Sequence, residues 1–307
     1  GVIGTSCSGA ATAASPLISA AGMVMISPSN TSPALTSDLA GTAGDNYHAG
    51  YYRTAHNDLF QGAAMAKFVH DELGITAAAA IHDGDPYTQG LAQAFADAFE
   101  GLGGTVTGFT GVNKEDTDMV PVLTEIAAGS PGALFFPIFQ PAGDLVADQA
   151  PGVSGLEGTV LLGADGLQVQ SFMELSQADG MYLSGPDLRY GSNTNQSTGA
   201  TAEKFLADYE SNNGNPPEAP FWAHSYDATT ILLEAIKAAS YSDGDDLVID
   251  RAGVREYLDN LTGYKGIIGT LSCDDFGDCG AQRITVVQND SSDFGASLEN
   301  VVFEYAP

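Results

Sequence analysis

Short apolar runs without polar alternation, each followed by a segment of helical spacing, constrain this chain more than any other feature. Residues 77–81, 106–109, 133–136 and 159–163 read as strands. Between and before them, residues 57–73, 91–102, 119–128 and 144–149 read as helices. In the first of these, Leu59, Ala63, Ala66, Phe68, Val69 and Leu73 recur at helical spacing, and Gly74 ends it. A strand with one wet face alternates, whereas a strand covered on both faces does not. The chain therefore predicts an α/β fold, with mostly parallel sheets covered by helices on both faces. Such folds place ligands beyond the carboxyl ends of their strands. The residues at those ends are Ser8, Ser29 to Thr31, His82 to Tyr87, Phe139, Gln140 and Asp165.

The opening stretch, residues 2–15, reads as a strand end, a small-residue turn and a helix. Ser8 is a good N-cap for the Ala-rich run that follows. A serine hydroxyl and free N–H groups at a helix start form a site for an anion such as a carboxylate. An ordinary capped helix is the competing reading. Residues 22–27 form the next strand and run into a hydroxyl-rich loop fixed by Pro28 and Pro33, and residues 51–54 form another short strand. Further on, residues 84–90 and 185–199 read as loops, and residues 202–209, 222–239 and 252–261 as helices. Residues 266–271, 283–288 and 301–305 read as strands.

A length of 307 residues suffices for two domains. Ten Lys and Arg against 39 Asp and Glu give a net charge of −29, which argues against nucleic acid or an anionic membrane as partner. No apolar run approaches the ~20 residues that span a bilayer. The chain opens in mid-strand at Gly1 without a signal peptide, and reads as mature or trimmed at its front. Three cysteines are an odd count. Cys273 and Cys279 could close a tight disulfide loop worth ~2 kcal/mol. A metal site helped by Asp274, Asp275 and Asp278 is the alternative, although the zinc and calcium spacings are missing. Cys7 is left over, either as a small buried residue or with a partner outside this sequence.

No nucleophile elbow, P-loop, dinucleotide-binding turn, His-Glu-x-x-His or Cys-x-x-Cys occurs. His82 could serve as a base, but His-Asp at a strand end is more often a capping pair. Asp165 could anchor a ligand or act as a base, or simply form the turn before Gly166. No nucleophile–base pair supports an enzyme, and no cofactor or metal is expected.

Five motifs stand in the order of one family: Val-Ile-Gly-Thr-Ser-Cys-Ser, Ile-Ser-Pro-Ser-Asn-Thr-Ser-Pro, Tyr-Arg-Thr, Ile-His-Asp-Gly-Asp-Pro-Tyr-Thr-Gln-Gly and Leu-Gly-Ala-Asp-Gly. From residue 2 to about 287 the chain resembles the branched-chain amino-acid (leucine/isoleucine/valine-type) substrate-binding proteins of ABC transporters. The resemblance implies a two-lobed type I periplasmic-binding fold with the ligand in the inter-lobe cleft. It implies lobe one at 1–56 and 188–282, and lobe two at 57–187 and 283–307. It also implies an extracytoplasmic location, periplasmic or lipid-anchored, and an ABC permease as partner. By the same resemblance, Ser8 binds the ligand α-carboxylate, helped by the backbone of Ser29, and Thr31 contacts the amino group. Asp165 stands where the family usually has Glu and pairs with the α-ammonium. Tyr87 and Phe139 face the cleft, Phe139 replacing the common Tyr. Trp222 and Tyr226 lie near the cleft-proximal helix.

Asp for Glu shortens the reach by one methylene and opens the alternative of a ligand without an ammonium group, such as an amide, urea, or an aromatic or aliphatic acid. Family members begin with two further βα elements, roughly 60 to 70 residues at ~30 per unit. In relatives these carry the cysteine that bonds the one matching Cys7. Lobe one is accordingly expected to be incomplete, with a dimer or a partner chain as one way to complete its sheet.

Overall fold

A computed structural model describes residues 1–307. The chain opens with β1 (Val2–Ile3), α1 (Ser8–Ala20), β2 (Met25–Ser27) and β3 (Tyr51–Arg53). Next come α2 (Asp58–Lys67), β4 (Ala77–His82), α3 (Pro86–Gly101), β5 (Thr105–Gly111), α4 (Val120–Ala127) and β6 (Ala133–Phe135). They are followed by α5 (Ala142–Gln149), β7 (Val160–Gly163), α6 (Gln170–Met173), β8 (Tyr182–Pro186), α7 (Ala202–Asn213) and α8 (Trp222–Ala238). The remaining elements are β9 (Ser240–Asp243), β10 (Asp246–Ile249), α9 (Arg251–Asp259), β11 (Tyr264–Gly266), β12 (Gly269–Leu271), β13 (Ile284–Gln288), α10 (Phe294–Glu299) and β14 (Val301–Tyr305). They divide into two units, one of Gly1–Asn57, Leu188–Pro217 and Phe221–Gln282, the other of Asp58–Asp187, Glu218–Pro220 and Arg283–Pro307.

The second unit holds a seven-stranded sheet in the order β14-β13-β8-β7-β6-β4-β5. Strands β4 to β8 run parallel, while β13 is antiparallel to both β8 and β14. The strand faces sort cleanly. Ala79, Ile81 and Leu134 enter one core with Leu123, Ile126 and Val146, whereas Ala78, Ala80 and Phe135 enter another with Met65, Leu91, Phe95 and Phe99. Both faces are buried, which is why these strands show no alternation. Helices α2 and α3 pack closely because residue 62 is glycine: a Cβ there would meet the Ala94 carbonyl carbon at 2.6 Å.

The first unit holds a three-stranded parallel sheet in the order β1-β2-β3. Val24 and Ile26 face a core built with Ile231, Leu232, Val254 and Leu258, and Met25 clusters with Ala11 of α1 and with Leu35. The sheet continues into the cysteine loop. Arg53 N donates to Gly277 O and Cys279 N donates to Arg53 O, making a parallel bridge between Arg53 and Asp278.

Several expectations are corrected. The N-cap of α1 is Cys7, and Ser8 is its first helical residue. The expected loop at 84–90 is helical from Pro86, because the Asp85 side chain caps α3 by accepting from Tyr87 N at 2.9 Å. The expected loop at 185–199 begins with the end of β8, whose pairing with β13 no local pattern announces. The run 266–271 is a tight hairpin turn with β12, not one strand. Cys273 and Cys279 are joined in a disulfide, which displaces the metal alternative, and Asp278 pairs with Arg53. Cys7 is exposed, so the reading of it as a buried residue fails.

Candidate functional site

In the second unit, Tyr87, Phe139 and Asp165 come together. Asp165 follows β7, in the position where a parallel sheet hands over to solvent. Its Oδ1 accepts from Gln61 Nε2 at 2.7 Å and from Tyr87 Oη at 2.9 Å. Gln61 also donates to the carbonyl and hydroxyl of Ser184, so one amide ties α2 to β8 and to the carboxylate. Tyr87 Oη in turn accepts from Gly166 N at 3.2 Å. The Phe139 ring lies 5.1 Å from that of Tyr87. Asp165 is only 6% exposed, and burial pushes its carboxyl up to about 6. Its side-chain partners are neutral, so the carboxylate is desolvated without a countercharge. A groove of about 370 Å³ opens at Phe139 and Gly166, lined also by Val169, Gln170, Ser171 and Glu218; Asp165 itself does not line it.

In the first unit, Ser8, Ser29 and Thr31 gather at the start of α1. Ser8 is buried, and its Oγ accepts from Ser32 N at 3.4 Å. The loop after β2 is folded by Ser27, whose Oγ donates to Thr5 O at 2.8 Å and accepts from Asn30 N at 2.9 Å and Ser29 N at 3.3 Å. The Ser29 N–H expected to face a ligand thus leans on Ser27, and its hydroxyl donates to Ser6 O at 3.2 Å. Thr31 and Ser32 are buried with unpartnered hydroxyls, and Asn30 has an unpartnered Nδ2. No side chain caps α1. A helix start without a side-chain cap, beside three buried polar groups lacking partners, has the chemistry of an anion-binding position.

Trp222 and Tyr226 are placed differently. Trp222 stacks on Phe205 at 5.3 Å and meets Tyr190 edge-on, and Tyr226 donates to Thr198 Oγ1 at 2.9 Å. Their ring contacts run to Phe205 and Tyr190 and the Tyr226 hydroxyl to Thr198, none of them to Ser8, Ser29 or Thr31. His82 stabilises the turn after β4, its Nδ1 accepting from Gly84 N at 3.1 Å, and Asp83 accepts from Asp85 N and Thr88 Oγ1, while the cap of α3 is Asp85. The residues that sequence reasoning missed are Gln61 and Ser184. Both hold Asp165 from elements far away in the chain, and a single glutamine in an Ala-rich helix carries no motif.

The chain matches the family model described as "Periplasmic binding protein" over residues 1–297. It is 25% identical over 291 residues to the Leu/Ile/Val-binding protein homolog 3 of Brucella melitensis, covering 94% of this chain and 72% of that protein. Among solved structures it is similar to a leucine binding protein, LivK, of Thermotoga maritima, with a TM-score of 0.77 and 25% identity over 99% of this chain and 79% of that one. It also shares the fold of the branched-chain amino acid transporter substrate binding protein LivJ of Streptococcus pneumoniae, solved in complex with isoleucine, with a TM-score of 0.73 and 20% identity over 99% and 78% of the two chains.

Proposed function

Because the chain belongs to the periplasmic binding protein family, we propose that it captures an amino acid, branched-chain or related, outside the cytoplasm and delivers it to an ABC permease. It is a solute-binding protein and not an enzyme. Its place is extracytoplasmic, and no helix is long and apolar enough to cross a membrane. Periplasmic diffusion or a lipid anchor would serve this function equally.

The observation that carries the reading is Asp165. A buried carboxylate whose side-chain partners are all neutral gains most from a ligand that brings its own cation. The second unit supplies this ammonium-binding half, with Tyr87 and Gln61 fixing the carboxylate. The first unit supplies the carboxylate-binding half at the start of α1 with Ser8, and Thr31 beside it contacts the amino group. The groove beside Phe139 takes the ligand side chain.

The test is a thermal-shift screen of the twenty amino acids, with amides, urea and aromatic and aliphatic acids alongside. A ligand at 100 times its dissociation constant stabilises by ~2.7 kcal/mol, which moves the midpoint measurably. A shift with a branched-chain amino acid that is lost in both Asp165→Ala and Ser8→Ala is the expected result. A shift only with molecules that lack an ammonium group would replace the amino acid by an acid or an amide as ligand.

A further inference from the structure

The Arg53 side chain ties the loop after β2 to the cysteine loop. Arg53, at the end of β3, is completely buried. Its Nε donates to Asp278 Oδ1. One guanidinium nitrogen donates to the carbonyls of Asn30 at 3.2 Å and Ser32 at 2.8 Å, and the other to Thr36 Oγ1 at 2.7 Å. The loop between residues 27 and 36 is thus pinned at three points by one side chain. Ser32 is the link to the candidate anion site: its carbonyl accepts from Arg53 while its N–H donates to Ser8 Oγ.

What holds Arg53 is the disulfide loop. Asp278 sits between Gly277 and Cys279, and the backbone on either side pairs with Arg53 as an added strand. Its second oxygen, Oδ2, accepts from Asn57 Nδ2 at 3.1 Å, and Asn57 Nδ2 also donates to Ser37 O at 3.2 Å. Inside the loop, Asp274 Oδ1 accepts from Phe276 N and Asp278 N, both at 2.9 Å. The position of Asp278 is therefore set by a six-residue separation closed by the Cys273–Cys279 bond. A buried guanidinium that loses its carboxylate becomes an uncompensated charge and has to move toward water or toward other acceptors. Either movement pulls on Ser32.

We propose that the Cys273–Cys279 loop frames the ligand site: Asp278 fixes Arg53, Arg53 fixes the segment Asn30 to Ser32, and the disulfide thereby sets the affinity for the carboxylate end of the ligand. Arg53 and Asp278 are positioning residues in this scheme, acting through Ser32 on Ser8. The ligand part of the inference rests on the amino-acid reading above; the framing of the loop does not.

The experiment uses the whole chain, with Cys273→Ser/Cys279→Ser and, separately, Asp278→Asn, which keeps the disulfide. Amide hydrogen exchange of the ligand-free proteins is the first readout. Exchange across residues 29–36 should quicken by about tenfold or more in both variants, while the amides of α8 and α9 stay as in the parent. The second readout is calorimetric titration with L-leucine as probe. Both variants should bind about tenfold more weakly, and Ser8→Ala should cost less affinity in the Asp278→Asn background than alone, because the two changes damage one site. Unchanged exchange at residues 29–36 in the Asp278→Asn variant overturns the proposal. Strictly additive losses of affinity overturn its link to the ligand. If the parent binds no amino acid while residues 29–36 loosen as expected, the amino-acid reading fails and the framing stands.

Discussion

At the scale of single residues, Asp165 carries two opposed effects. Its carboxyl is raised from an ordinary value of 3.8 to about 6, and burial is the cause. The folded, ligand-free protein therefore holds a proton there more readily than the unfolded chain does. Stability is unaffected below about pH 4, falls as pH rises toward 6, and reaches its full loss above 6, about 3 kcal/mol for a shift of this size. Asp165→Asn keeps an oxygen to accept from Gln61 and Tyr87 but has no charge to desolvate. Denaturant melts should find this ligand-free variant more stable than the parent at pH 8, by about 1–3 kcal/mol, with the gain vanishing near pH 4. The same variant should lose amino-acid binding. In the parent, affinity for an ammonium ligand should fall about tenfold between pH 7 and pH 5 as the carboxylate protonates. Tyr87→Phe removes a donor that favours the ionised form. Titrations of that variant should place the midpoint of this fall at higher pH, with binding at pH 8 weakened by about 1.5–3 kcal/mol.

At the scale of elements, the cysteine loop behaves as a strand. It docks on β3 so closely that Gly277 cannot carry a side chain: its φ is +86°, and a Cβ would meet Tyr51 O at 2.2 Å. Gly277→Ala combines left-handed strain with a clash against backbone that has nowhere to go. Thermal or denaturant unfolding should show a loss of more than about 2 kcal/mol. Gly280 shares the clash though not the positive φ, with its Cβ position 1.9 Å from Thr54 O. Two glycines in and beside the loop, closed by a disulfide, are the signature of a backbone brought against another backbone. That makes the docking of the loop a property of the element, beyond the bond between its two sulfurs.

At the scale of the whole molecule, the net charge of −29 is nearly unrelieved. The exposed ion pairs are few, Lys67–Asp71 and Lys204–Asp208 among them, and surface pairs contribute little. Mutual repulsion of carboxylates opposes the compact state, and salt screens it over about 10 Å at 0.1 M and 3 Å at 1 M. The melting temperature should rise steadily between 0.05 and 1 M KCl. Affinity for a zwitterionic amino acid should change much less over that range, since Asp165 and Ser8 are buried and poorly screened. Equal salt dependence of the two would place the ligand contacts at the exposed surface.

The sequence alone determined the α/β character of the chain and which loops carry polar residues at strand ends. Burial on both faces erases alternation in a strand, and that erasure is visible locally in runs such as residues 77–81. The sequence also brought Ser8, Thr31, Tyr87 and Asp165 forward, through short motifs that need no distant partner to be read. What the tertiary structure decided are the contacts between segments far apart in the chain. Gln61 reaches Asp165 across 104 positions, Arg53 reaches Asp278 across 225, and β8 pairs with β13 across about a hundred. None leaves a local trace, because a buried hydrogen bond is defined by where two chain segments meet and not by what precedes or follows either one. The N-cap of α1 passed from Ser8 to Cys7 for the same reason: the Ser8 hydroxyl is turned toward Ser32, a neighbour that only folding supplies.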